Sequence, residues 1–456
     1  MKKFSLLLLP LAISGCISLD PDYKQPTGAV PDALPSTGIY TNTKNTPIVQ
    51  ADLYWNNYIV DQRLKTVIGS SLMNNKDLRI AVANIESAKA QYGITKSSRL
   101  PTLSAGLAGN KGRTINGITE NYQADFGVSS FELDFFGRVK SLSDSALESF
   151  LATQESQRAT ELLVISETAK AYAAVALSRS QLFIAQKTES SSLESLGLIS
   201  KRVEYGVANS KDLSDVESIY YRAKSDVYNY QTQVEQSINA LTLLVGSPVS
   251  EDLLPKNLSE LNGSLKSINV AVTSDVLYKR PDVLSAEHQL LAANANIGAA
   301  RAAFFPRITL TTSKGIASSQ LSSLFSNSTN VWSFAPSLSL PIFDYGNNKS
   351  NLDYSKAQKD KYIATYEKAI QTAFREVADE LARKGTINEQ IDAYSKYVGA
   401  TRNSFELATK SYEVGVSDYL AVLTAQNTLY DAETSALLLD KEKYDNLINL
   451  YKVIGF

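Results

Sequence analysis

Few residues in this sequence could carry chemistry. Its 456 residues include one Cys, one His and two Met. A thiol can be acylated, oxidised or bound to a metal, but Cys16 has no second Cys with which to close a disulfide. One His and one Cys fall short of a His/Cys metal site or a His-based triad. His288, between Glu287 and Gln289, reads as a structural side chain on a helix. Asp134-Phe135-Phe136-Gly137 has the letters of a kinase magnesium motif without the Gly-rich and catalytic loops that such a site needs. Gly106, Gly109 and Gly112 fall in a strand hairpin rather than a βαβ unit, so they form no dinucleotide fingerprint. The sequence therefore predicts no enzyme, no cofactor and no metal site. Lys and Arg number 45 against 47 Asp and Glu, and a net charge of -2 offers no footprint for nucleic acid. What remains is a large folded protein rich in Ser, Asn, Gln, Thr and Tyr.

The position of the single Cys is informative. Lys2 and Lys3 precede an apolar run from Leu6 to Ile13, followed by Ser14, Gly15 and Cys16. This is a secretory signal pattern, too short to span a bilayer. Ile13-Ser14-Gly15-Cys16 resembles a bacterial lipobox, which predicts cleavage of residues 1–15 and acylation of Cys16. Ile17 in place of Asp resembles the signal for sorting to the outer membrane. No later stretch approaches the ~18 apolar residues of a membrane helix, so a mature chain that crosses a membrane must do so as a β-barrel.

The elements that would position such a barrel come in duplicate. Gly137, Gly206 and Gly246 match Gly346, Gly415 and Gly455 at a constant offset, and Glu204-Tyr205-Gly206-Val207 faces Glu413-Val414-Gly415-Val416. Residues 77–246 and 282–456 are therefore predicted copies, joined by a linker at 247–281 and preceded by a lipidated segment at 16–76. Each copy reads as a helix, two strands and a long helical hairpin. Arg280-Pro281-Asp282 supplies the Pro and acid that a first turn favours, and Pro101 or Pro306 ends that helix. The strands fall at 102–112 with 122–134, and at 307–317 with 330–340. Trp332, Phe334, Leu338 and Leu340 alternate with Ser333, Ala335, Ser337 and Ser339, while Pro336 marks an edge or bent strand. After Gly137 and Gly346 no Pro interrupts the chain as far as Gly206 and Gly415. Leu162, Ile165, Ala169, Tyr172 and Ala176, like Ile370, Phe374, Val377 and Leu381, step by threes and fours, a heptad seam. Helices of that length extend on the order of 100 Å, with Gly206 and Gly415 at the turns.

Four strands of about ten residues suit a membrane barrel in length but not in number, since barrels begin at about eight strands. Two copies would enclose only side chains; three give twelve strands and a lumen, lined by the small polar faces. A soluble coiled-coil spacer would share the seam but has no use for a hairpin in each copy.

Leu133-Asp134-Phe135-Phe136-Gly137-Arg138, Arg280-Pro281-Asp282, Leu340-Pro341-Ile342-Phe343 and above all the run from Ala292-Ala293-Asn294-Ala295-Asn296 through Ile297-Gly298 to Phe304-Phe305-Pro306 resemble the TolC-like outer-membrane efflux channels, in their OprM-like lipoprotein branch. The resemblance covers nearly the whole mature chain. It implies a mixed α and β fold of duplicated units, each with long coiled-coil helices and a two-strand hairpin. Three chains would form a 12-stranded outer-membrane β-barrel continued by a periplasmic α-helical barrel. It further implies the exit duct of a tripartite pump, partnered by a periplasmic membrane-fusion adaptor and an inner-membrane RND-type transporter that supplies the energy. A protein-secretion duct is the alternative within transport, and a structural periplasmic lipoprotein the alternative outside it. Branch members close at the periplasmic tip around Tyr-Leu-x-x-Leu-Asp-Ala-Gln-Arg. Here the stretch is Tyr419-Leu420-Ala421-Val422-Leu423-Thr424-Ala425-Gln426-Asn427: Leu420 is kept, Thr424 replaces the acid and Asn427 the Arg. The repeat offset sets Asp215 opposite Thr424, with Glu217 nearby. The candidate gate is thus Asp215, Glu217, Leu420, Thr424 and Asn427, in which three Asp215 carboxylates either form an acidic ring or lie on a solvated helix face.

Overall fold

A computed structural model describes residues 18–42, 54–115, 117–266, 274–326 and 328–454. The signal pattern and Cys16 lie outside the described residues. The fold is mixed α and β and mostly helical, with α1 (Trp55–Tyr58), α2 (Gln62–Asn74), α3 (Lys76–Ser97), β1 (Leu103–Thr114), β2 (Gly117–Leu133), α4 (Arg138–Glu204) and α5 (Ser210–Val245) in its first half. Then follow α6 (Pro281–Ala302), β3 (Arg307–Ser318), β4 (Thr329–Ser339), α7 (Asn347–Glu413) and α8 (Tyr419–Ile454). The order α3-β1-β2-α4-α5 recurs as α6-β3-β4-α7-α8, with 67 residues in each of α4 and α7 and 36 in each of α5 and α8. Among the described residues no helix is long and apolar enough to cross a membrane.

The chain divides into two compact units. The first comprises Met1–Ala29, Ala83–Ser156 and Leu284–Ala369. It holds one antiparallel sheet in the order β1-β2-β3-β4, whose outer strands β1 and β4 have no neighbour beyond them among the described residues. Pairing in the first hairpin runs further out than the polar residues at 113–121 suggest, closing at Thr114 and Gly117. Gly117 has a φ of 119°, a conformation that a side chain would resist. The register of β2 against β3 slips by one residue between Val128 and Phe131, with Ser130 at a φ of 51°. This bulge keeps Val128 and Phe131 on one face. Pro336 lies on β4, an edge strand, where proline is tolerated.

Where strands meet helices, Glu132 takes Arg138 and Arg307, each at 2.6 Å, and the rings of Phe136 and Phe305 stack at 4.7 Å. The amino-terminal segment lies against the same unit. Arg301 donates to the Leu19 carbonyl at 3.0 Å, Asn294 to that of Pro21 at 2.8 Å, and Ser141 to the Asp20 carboxylate at 2.6 Å. Gly298 is required here, because a Cβ on it would collide with the Asp20 carboxylate. His288 Nδ1 is 2.6 Å from Glu148, whose hydrogen bond raises the imidazole pKa above its ordinary value.

The second unit comprises Val30–Val82, Gln157–Val283 and Ile370–Phe456. Ile165, Ala169, Tyr172, Ala176, Ile370, Val377 and Leu381 of the predicted seams are buried, whereas Leu162 and Phe374 are only half-buried. Arg280 is buried with its charge met by Glu376 at 2.7 Å and Asp282 at 2.8 Å. Tyr58 stacks on Tyr451 at 4.9 Å and donates to the Leu447 carbonyl.

Candidate functional site

Both long helices end in the same way. At the end of α4, Gly206 has a φ of 71°, its N–H bonds the Val203 carbonyl at 2.9 Å, and the Val207 N–H bonds that of Arg202 at 2.8 Å. At the end of α7, Gly415 has a φ of 77°, with Gly415 N–H to Tyr412 at 3.0 Å and Val416 N–H to Ser411 at 2.8 Å. These are paired Schellman closures, which satisfy the last carbonyls and demand the left-handed residue that glycine supplies most cheaply. Asn209 then caps α5 in a reciprocal capping box with Asp212. Asp418 accepts from the Ala421 N–H at 3.2 Å at the start of α8, but Ala421 has no side chain to return the bond.

The two hairpins pack on each other through Ile199, Val216, Tyr419, Val422 and Leu423, with Leu196, Leu213 and Phe405 around them. Tyr412 and Tyr419 meet edge to face at 4.9 Å, and the Arg202 guanidinium lies 4.8 Å from the Tyr412 ring centre. Buried Gln426 donates to Ser192 at 3.3 Å, and Tyr430 to Asp226 at 3.4 Å. Burial raises the Tyr419 and Tyr430 phenols above their ordinary pKa, so both stay neutral.

Of the residues singled out in the sequence, Leu420 and Thr424 share one exposed face of α8. They line an open groove of about 500 Å³ with Thr401, Ser404, Asp418 and Thr428. Leu420 is 54% exposed, and Thr424 returns its hydroxyl to the Leu420 carbonyl at 2.9 Å. Asn427 is half-buried and Glu217 exposed. Asp215 is not brought into the groove. Its carboxylate pairs with Lys211 at 2.5 Å one turn earlier on α5, and that hydrogen bond raises the lysine pKa. The Lys211–Asp215 spacing of four is visible in the sequence as a helical ion pair. The links of Gln426 to Ser192 and Tyr430 to Asp226 join residues some two hundred positions apart, and no local signal announces them. Among the described residues no group of three His, Cys, Asp or Glu could hold a metal.

The sequence model of the family described as outer membrane efflux protein matches residues 67–247 and 272–456. This chain belongs to the outer membrane efflux protein family. It is 40% identical to the solvent efflux pump outer membrane protein SrpC of Pseudomonas putida, over 100% of this chain and 98% of SrpC. It is 37% identical to the cation efflux system protein CusC of Escherichia coli K12, over 98% and 97% of the two chains. The open state of the Neisseria gonorrhoeae MtrE outer membrane channel superposes with a TM-score of 0.87 at 36% identity, covering 96% of this chain and 98% of that one. Family membership makes this an outer-membrane transport protein rather than an enzyme. The residues around the two turns are thus to be read for passage, not for bond-making.

Proposed function

We propose that the chain is one of three identical subunits of the exit duct of a tripartite efflux pump. The observation that carries this reading is the sheet: four strands with an apolar face, a small polar face and two free edges. Free edges in lipid leave backbone groups unsatisfied, so the sheet must be closed by other copies. Three copies would give a 12-stranded barrel, with the apolar face toward lipid and the Ser333–Ser339 side lining a lumen. Residues 77–246 and 282–456 act as the duplicated units, and 16–76 with 247–281 as the equatorial collar. Residues 1–15 are removed and Cys16 is acylated. A periplasmic adaptor and an inner-membrane RND-type transporter deliver cargo, and the duct itself is passive.

The paired turns form the periplasmic gate. Leu420 narrows the entrance, Thr424 and Asn427 supply its polar lining, and Glu217 adds negative charge beside Asp215, whose carboxylate is paired with Lys211. The cargo is small toxic organic compounds, as the name of SrpC suggests for that relative. With two Met and one His, the chain offers little for a relay of soft metal ions. Purified protein should run as an SDS-resistant, heat-modifiable trimer and open discrete conductances in planar bilayers. A monomer without conductance in lipid would overturn the proposal.

A further inference from the structure

The strand register sorts the side chains of the sheet onto two faces. On the apolar one, Phe126, Lys314 and Trp332 stand side by side across β2, β3 and β4. Lys314 is exposed and makes no ion pair among the described residues. The carboxylate on that face, Glu120, is already taken by Lys111, and Arg113 is exposed one row beyond. Three cations against one carboxylate leave this apolar face with a net positive charge at its outer end. Lys314 lies four residues from the end of β3 at Ser318, and Trp332 three from the end of β4 at Thr329. At ~3.3 Å per residue and with the usual tilt, Lys314 sits roughly 10 Å inside the hairpin end. A cation at that depth is costly unless its flexible stem carries the ammonium up to an anionic group. Beside it, the indole N–H of Trp332 and the amide of Asn330 are further donors on the same face.

We infer that the outer end of this face, around Lys314, Trp332 and Asn330, binds the phosphate of a lipid headgroup in the outer leaflet. The inference rests on the reading of β1 to β4 as membrane strands. A lipid suits the site better than free phosphate, because its acyl chains would cover Val128 and Phe334 in the row just below Lys314 and Trp332, with Phe126 beside them. The ammonium meets the phosphate as a point charge, and the indole orients it.

Full-length protein and its Lys314→Leu variant, each titrated in detergent with bisphosphorylated lipid A and followed by native mass spectrometry, test this. Wild type should retain the lipid about tenfold more tightly than the variant. The difference should vanish with dephosphorylated lipid A, and Lys314→Arg should restore retention. Trp332→Phe, which keeps the ring but not the N–H, should lose less, and it carries the test if Lys314→Leu fails to assemble. Conductance of the same samples separates the two readings. Channels in every sample with equal lipid A retention would overturn the lipid site alone. Absence of channels from wild type would overturn the membrane-strand reading beneath it.

Discussion

The turns at Gly206 and Gly415 share one backbone geometry, and the 36-residue helices that follow them begin at matching positions. Their side chains diverge at once. Where α5 has Lys211 and Asp215 bonded to each other, α8 has Leu420 exposed and Thr424 bonded to the Leu420 carbonyl. Where α5 has exposed Glu217, α8 has buried Gln426 holding Ser192. Where α5 opens with Ser210, α8 opens with Tyr419, buried in the cluster between the hairpins. The duplicated scaffold thus conserves the closure of each hairpin but not its surface. One tip is charged and holds an internal ion pair; the other is apolar and hydroxylic, with a groove beside it.

The largest effect should come from the position where the two tips differ most in burial. Tyr419→Ala removes a buried aromatic and should cost ~3–5 kcal/mol of local stability, whereas Ser210→Ala should cost almost nothing. Hydrogen exchange at the two turns would show it, and equal loss of protection in both variants would break the comparison. Next comes the proposed gate. Leu420→Ala should raise single-channel conductance and vancomycin entry, while Lys211→Ala should leave the open conductance near wild type. Asp215→Ala should weaken block by multivalent cations, and Lys211→Met, which frees that carboxylate, should strengthen it. Recordings in which neither changes the block would place the Asp215 carboxylate outside the conducting path. The smallest effect should be the most symmetrical. Gly206→Ala and Gly415→Ala should each cost on the order of 1 kcal/mol, read by thermal melts, because both force a Cβ into the left-handed region.

Much of this molecule was legible because its signals are local. Gly206 and Gly415 stand out where a long Pro-free run must reverse, and the apolar and small residues of 332–339 alternate as a strand must. The extension of β2 out to Gly117 was not legible, since its Asn, Thr and Gly residues favour loops and are overruled by pairing with β1. At the tips, Leu420 and Thr424 could be found from a motif, and the ion pair that neutralises Asp215 from its spacing. The contacts of Arg202 with Tyr412 and of Tyr430 with Asp226 could not, because only tertiary packing brings those residues together. His288 was expected to be structural, and its contact with Glu148 joins α6 to α4.

The seating of the amino-terminal segment bears on the order in which the chain can be assembled. Leu19 and Pro21 are held by Arg301 and Asn294, which come 282 and 273 residues later, and Asp20 fits only because Gly298 has no side chain. During synthesis the beginning of the protein therefore emerges long before its seat exists. Contacts so distant in sequence form late and slowly. The segment Leu19–Pro21 has to wait undocked until α6 has been made and folded, so a half-length chain would have nowhere to fasten its own start.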